Sequence, residues 1–137
     1  MKATELRKTE LRIGNLVTDK WSVGKYPFKI VSIGKNICHY FGNQEFSAKY
    51  EDLEPIPLTE EWLINFGFEK AKHSHGYDCY IKDGFDFDIV SHGRYWVLAI
   101  YTDESCTDSL YFAHGRFEYV HQLQNLYFAL TGQELTI

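Results

Sequence analysis

The sequence predicts an α+β protein with a small β-barrel module over residues 1–57. Over residues 58–137 it predicts an α-β-β-β-β-α module, an antiparallel sheet packed against two helices, which can share one core with the first. Three observations carry that expectation. Residues 11–56 are short β-prone runs broken by glycines. Residues 58–68 hold a full set of helix start and stop signals. Residues 78–130 read as hairpins closed by an amphipathic helix. The chain has 137 residues, 17% of them aromatic, which is apolar surface enough for one domain or two small ones.

In chain order, residues 2–10 are charged and carry little β character, so they read as a frayed arm or part of a short helix. Residues 11–18, LRIGNLVT, form the first convincing strand, with Gly14–Asn15 as a bulge or bend. Residues 19–27 are a loop. Residues 28–33 and 37–41 are the next strands, and Gly42–Asn43 suits a tight hairpin connection into residues 46–50. A turn over 51–54 then leads to a last short strand at Pro55–Ile56. Five short strands with a long first connection, a meander and a one-turn helix before the last strand resemble an SH3-like barrel.

Residues 53–68, LEPIPLTEEWLINFGF, form the seam between the two kinds of text. Pro55 and Pro57 hold their predecessors extended. Thr59 is the N-cap, and Glu60 and Glu61 sit at the positive end of the helix dipole. Leu58 and Leu63 make a hydrophobic staple. Trp62 and Phe66, four apart, share a face to be buried. Gly67 suits the left-handed C-cap, with Phe68 folding back on Leu63.

Beyond the seam, residues 69–77 read as a polar loop. Residues 78–82 and 85–91 flank the Asp83–Gly84 hairpin turn, and residues 94–101, RYWVLAIY, are the most β-prone run. Residues 102–109 are a polar connection, and residues 110–113 with Phe117 make a fourth strand. The closing helix spans residues 119–130, stopped by Thr131–Gly132. Val120, Leu123, Leu126, Tyr127 and Leu130 form its apolar stripe, and Leu123, Tyr127 and Leu130 are expected in one core with Trp62 and Phe66 and with Trp96, Leu98 and Ile100 or their alternates. His121, Gln122, Gln124 and Asn125 face away. Phe128 lies off the stripe, where an intrachain contact is the expected explanation.

PIPLTEEWLINFGFEK and YVHQLQNLYFALTGQEL resemble small uncharacterised proteins of Bacteroidetes phages, prophages and related mobile elements. The resemblance implies a cytoplasmic accessory protein of mobile DNA. It transfers no catalytic role to any residue.

Charge divides unevenly: residues 1–50 hold nine Lys/Arg against four Asp/Glu, and residues 51–137 hold five against fifteen. The acidic half opposes a nucleic-acid groove over the whole molecule. Cys38, Cys79 and Cys106 are odd in number and lack a CxxC pair, which fits a reducing cytoplasm better than a disulfide framework. No apolar run reaches the roughly 20 residues of a membrane span, so no membrane role is expected.

Candidate chemistry is sparse. His73, His75 and Cys79 sit in HSHGYDC, a spacing that matches no common structural zinc pattern. Asp86 and Asp88 alternate along a strand, as two carboxylates of an acid–base or metal pair would, and as any wet strand face does. Ser74 and Ser91 lie near histidines but lack a third partner. No metal, cofactor or catalytic residue is expected, and a metal-dependent enzyme using His73/His75 or Asp86/Asp88 is the least favoured reading.

The residues expected to bind are Trp21, Tyr26 and Phe28, set among Lys20, Lys25 and Lys29. Loop aromatics of this kind either plug a core or recognise a partner, and with lysines they can also stack on bases while the ammonium groups meet phosphates. The sequence thus points to a non-enzymatic protein-binding module, with nucleic-acid binding by the basic N-terminal half as the alternative.

Overall fold

In a computed structural model, residues 10–20, 27–34, 37–41, 44–72, 78–101, 109–111 and 116–137 are described. The architecture is α+β, with two antiparallel sheets and two helices. The chain forms two compact units. Unit 1 is Met1–Pro57 with Tyr119–Leu135, and unit 2 is Leu58–Glu118 with Thr136–Ile137.

Unit 1 contains β1 (Leu16–Asp19), β2 (Phe28–Ile33), β3 (Ile37–Phe41), β4 (Gln44–Ala48) and β5 (Leu53–Glu54). A one-turn 3-10 helix, Tyr50–Asp52, precedes β5. The sheet order is β4-β3-β2-β1-β5, with β1 antiparallel to both β2 and β5. Among the described residues the sheet does not close. β4 and β5 are its edges, and this open sheet stands where a closed barrel was expected.

The first strand is also shorter than its text. Arg12–Asn15 is a turn, closed by Asn15 N–H on the Arg12 carbonyl at 3.1 Å and by Arg12 N–H on Asn15 Oδ1 at 2.7 Å. Gly14 takes a φ of 97° there, a value glycine adopts without steric cost. The core of the unit is Leu11, Val17, Ile30 and Leu53, with Ile33, Ala48 and Tyr50 packed against it.

The closing helix α2 (Val120–Thr131) packs on β1, so it belongs to unit 1 and not to the C-terminal sheet. Its start is held by Tyr119 N–H on Gln122 Oε1 at 3.1 Å, and by Val120 N–H on the Ile56 carbonyl at 2.9 Å. Gly132, at φ 73°, ends it with its N–H on the Phe128 carbonyl at 2.8 Å. The buried face is rotated from the expected stripe. Val120, Leu123 and Tyr127 are inside as expected, but so are His121 and Gln124, while Leu130 is 44% exposed.

Unit 2 opens with α1 (Glu60–Asn65), and here the local signals act as expected. Thr59 Oγ1 accepts the Trp62 N–H at 3.4 Å. At the other end Phe68 N–H reaches the Leu63 carbonyl and Gly67 N–H the Ile64 carbonyl, both at 3.0 Å, the bond pair of a Schellman stop. Leu63, Phe66 and Phe68 are almost fully buried, and the Trp62 ring lies 5.6 Å from that of Phe66.

The sheet of unit 2 is a five-stranded meander in the order β10-β9-β8-β7-β6. Its strands are β6 (Glu69–Lys72), β7 (Asp78–Lys82), β8 (Phe85–Ser91), β9 (Trp96–Tyr101) and β10 (Ser109–Tyr111). β6 was expected to be loop. It pairs with β7 from Glu69↔Ile81 to Lys72↔Asp78 and forms an edge, where charged residues are well tolerated. Phe117 makes a separate bridge to Trp96. Both sheet faces are buried. Cys79, Val90, Val97 and Ala99 cluster on one, and on the other Tyr80 meets Trp96 edge-on at 5.6 Å, with Ile89 and Leu98 also buried.

Candidate functional site

The expected binding loop leaves β1 and returns as β2. Its base is anchored by packing: Val17 pairs with Phe28 across the two strands, and both side chains are buried. On the outgoing side Lys20 N–H donates to the Asp52 carbonyl at 3.1 Å, tying the loop to the 3-10 turn before β5. Lys20 and Lys29 are exposed, one at each end of the connection. Trp21, Lys25 and Tyr26 lie outside the described residues. Phe28 belongs to the packed interior, 6% exposed, so its ring is covered by the protein itself and not offered at the surface.

His73, Ser74 and His75 lie outside the described residues. Cys79 is fully buried, and its thiol donates to the Ala71 carbonyl at 3.2 Å. Asp86 is exposed and Asp88 half-buried along β8, and Ser91 is half-buried at its end. Among the described residues no group of three or more His, Cys, Asp or Glu side chains is placed to hold a metal ion.

A polar network that hydropathy does not signal joins the Glu10–Leu16 segment to α2. Asn15 and Gln124 are 0% and 2% exposed. Gln124 Oε1 accepts the Leu16 N–H at 2.8 Å, and its Nε2 donates to the Gly14 and Leu135 carbonyls at 3.2 and 3.3 Å. Asn125 donates to the Glu10 carbonyl at 2.7 Å and accepts from Asn15 Nδ2 at 2.8 Å and Arg12 Nη1 at 3.2 Å. The Arg12 guanidinium also pairs with Glu134 and lies 4.1 Å from the centre of the Phe128 ring. Phe128 therefore has the intrachain contact expected of it while remaining 38% exposed.

His121 completes the network and is its one unsatisfied member. The side chain is wholly buried, and neither ring nitrogen has a hydrogen-bond partner. The nearest acid is Glu10, with Oε2 at 3.6 Å from Nε2, close enough for charge attraction but longer than a hydrogen bond. Burial pushes the imidazole pKa below its ordinary value, against the opposing pull of Glu10.

Elsewhere, Lys70 lies between Glu60 at 3.1 Å and Asp78 at 3.5 Å, and their attraction raises its pKa, Glu60 contributing most. Desolvation raises the Tyr80 pKa. The Lys70 contacts are solvent-side ion pairs at the edge of unit 2. Among the described residues, no helix is long and apolar enough to cross a membrane. No family model matches the chain, and neither a curated protein nor a solved structure matches it.

Proposed function

We propose that the protein is a non-enzymatic protein-binding module, a cytoplasmic accessory protein of a phage or mobile element, whose contact surface is the loop between β1 and β2. The observation that carries the reading is the pinned base of that loop. Buried Val17 and Phe28 fix the two strands, and the Lys20 amide is tied to Asp52, so both ends of the connection are anchored. The strand order and the 3-10 turn before β5 support an SH3-like ancestry for this unit, a scaffold on which that connection is well placed to bind. The resemblance of the seam and closing motifs to mobile-element proteins supports the setting.

The second reading is nucleic-acid binding by the same surface, favoured by the exposure of Lys20 and Lys29 at the two ends of the loop. Salt separates the two, because contacts to phosphates weaken steeply as salt rises and an aromatic-anchored protein interface does not. The test is a pull-down from source-cell lysate with and without nuclease, over a salt series. A specific protein retained through nuclease and moderate salt, and lost in a folded variant carrying Trp21→Ala and Tyr26→Ala, is the expected result. Retention of that protein by the double variant refutes the placement on the loop. Capture that disappears with nuclease selects the second reading.

A further inference from the structure

We propose that His121 and Glu10 form an acid-sensitive latch, in which protonation of the buried imidazole releases the Glu10–Leu16 segment from α2. The geometry supplies each part. The ring is wholly buried with both nitrogens unpaired, so the closed latch tolerates a neutral imidazole far better than a cation needing two acceptors. Glu10 stands 3.6 Å from Nε2, and its side chain is 39% exposed, which places it between the ring and solvent. Tyr119 stacks on the ring at 6.0 Å and brings no charge. Arg12, the other charged residue of the segment, is already held by Asn125, Glu134 and the Phe128 face. Glu10 is thus the one charged group acting on the imidazole among the described residues, and its pull does not overcome burial.

The direction follows from linkage. In the closed latch the imidazole pKa lies below its ordinary value, and in the open one water restores it. Between those two values the open form binds more protons, so acid favours opening. The stability that the neutral ring contributes is fully present above about pH 6.5 and is lost as pH falls towards the closed-state value. The moving part is defined by the bonds that must break: Asn125 to the Glu10 carbonyl, to Asn15 and to Arg12, and Gln124 to Leu16 and Gly14.

The test is amide hydrogen exchange of the full chain from about pH 7.5 to about pH 5, corrected for intrinsic rates, with an NMR titration of labelled histidine alongside. The amide of Leu16, held by Gln124 Oε1 of α2, reports release of the segment, and those of Arg12 and Gly14, bonded to Asn15 Oδ1 and to the Ile30 carbonyl, report whether the turn itself stays formed. The Leu16 opening constant is expected to rise with acid, towards the limit of about tenfold per pH unit that one proton sets. His121→Phe, close in shape and uncharged, should flatten that dependence. Glu10→Gln, which removes the one pull towards the cation, should extend it to lower pH. Opening that is flat or slowed in acid overturns the proposal, as does a slope that persists in His121→Phe. Should His121→Phe fail to fold, the wild-type titration decides alone: a His121 pKa at or above the ordinary value refutes the latch, and one below it, with acid-driven opening, upholds it.

Discussion

Replacing Gln124 with leucine tests whether α2 is held to β1 by buried hydrogen bonds or only by apolar contact. The substitution keeps the volume and removes three bonds, to Leu16 N–H and to the Gly14 and Leu135 carbonyls. Gly14 is only half-buried, so its carbonyl can turn to water, but Leu16 and Leu135 are 9% and 2% exposed. Two buried groups therefore lose their partners, at about 1–3 kcal/mol each. The leucine side chain gains about 1–2 kcal/mol from its own burial. The net loss is about 0–5 kcal/mol, centred on about 2–3 kcal/mol, a large part of the 5–15 kcal/mol typical of a domain. Urea unfolding followed by circular dichroism measures it, with exchange of the β1 amides as a local readout, since two units need not unfold in one step. A loss below about 0.5 kcal/mol, with β1 protection unchanged, would refute the bonding scheme. Asn125→Ala is the internal comparison. The Arg12 head that Asn125 holds is partly solvated, but the buried Asn15 Nδ2 loses its partner, so the cost should be about 1–3 kcal/mol.

Leu123→Ala, at a fully buried site on α2, should cost about 2–5 kcal/mol by denaturant midpoint, with the largest loss of amide protection in β1 and not in β8. Gly132→Ala should cost about 1 kcal/mol by thermal unfolding, from its positive φ alone, because a Cβ there meets nothing within 4 Å. Gly67→Ala should cost more, since its Cβ would lie 2.6 Å from Lys82 Nζ and disturb the bond from that ammonium to the Phe66 carbonyl. Phe128→Ala should lose only the Arg12 stack, about 0.5–1 kcal/mol at such an exposed site, measured in the same way.

The parts of this fold legible in the sequence are those whose causes are local. Thr59, Gly67 and Phe68 define α1 within ten residues, and each makes the bond its type implies. β6 was hidden because EKAK carries the charges of a loop, and nothing in that stretch shows that it lies at an edge beside β7. The position of α2 was hidden for a different reason. Its apolar stripe marks a face to be buried without naming the surface that will cover it, and hairpins that come just before it in the chain are only the default choice. The candidate loop was legible in composition, while the role of Phe28 depended on its pairing with Val17.

Asn15 shows how a correct location can rest on the wrong cause. Gly14–Asn15 was placed as a bend inside one long strand, which assigns the geometry to the glycine. In the structure Asn15 is fully buried and does more: its Oδ1 caps the Arg12 amide while its Nδ2 reaches Asn125. The turn is therefore half of a joint whose other half lies 110 residues later in the chain. The same logic accounts for Gln124 and Asn125, which hydropathy assigns to solvent because exposed amides are the common case. A buried amide is stable only when its partners are in place, and here the partners are backbone groups of the Gly14–Leu16 stretch and of Leu135. That stretch still pairs with β2 on one side, Gly14 N–H on the Ile30 carbonyl and Ile30 N–H on the Asn15 carbonyl. The Gly14 carbonyl and the Leu16 amide are instead satisfied by the Gln124 side chain of α2.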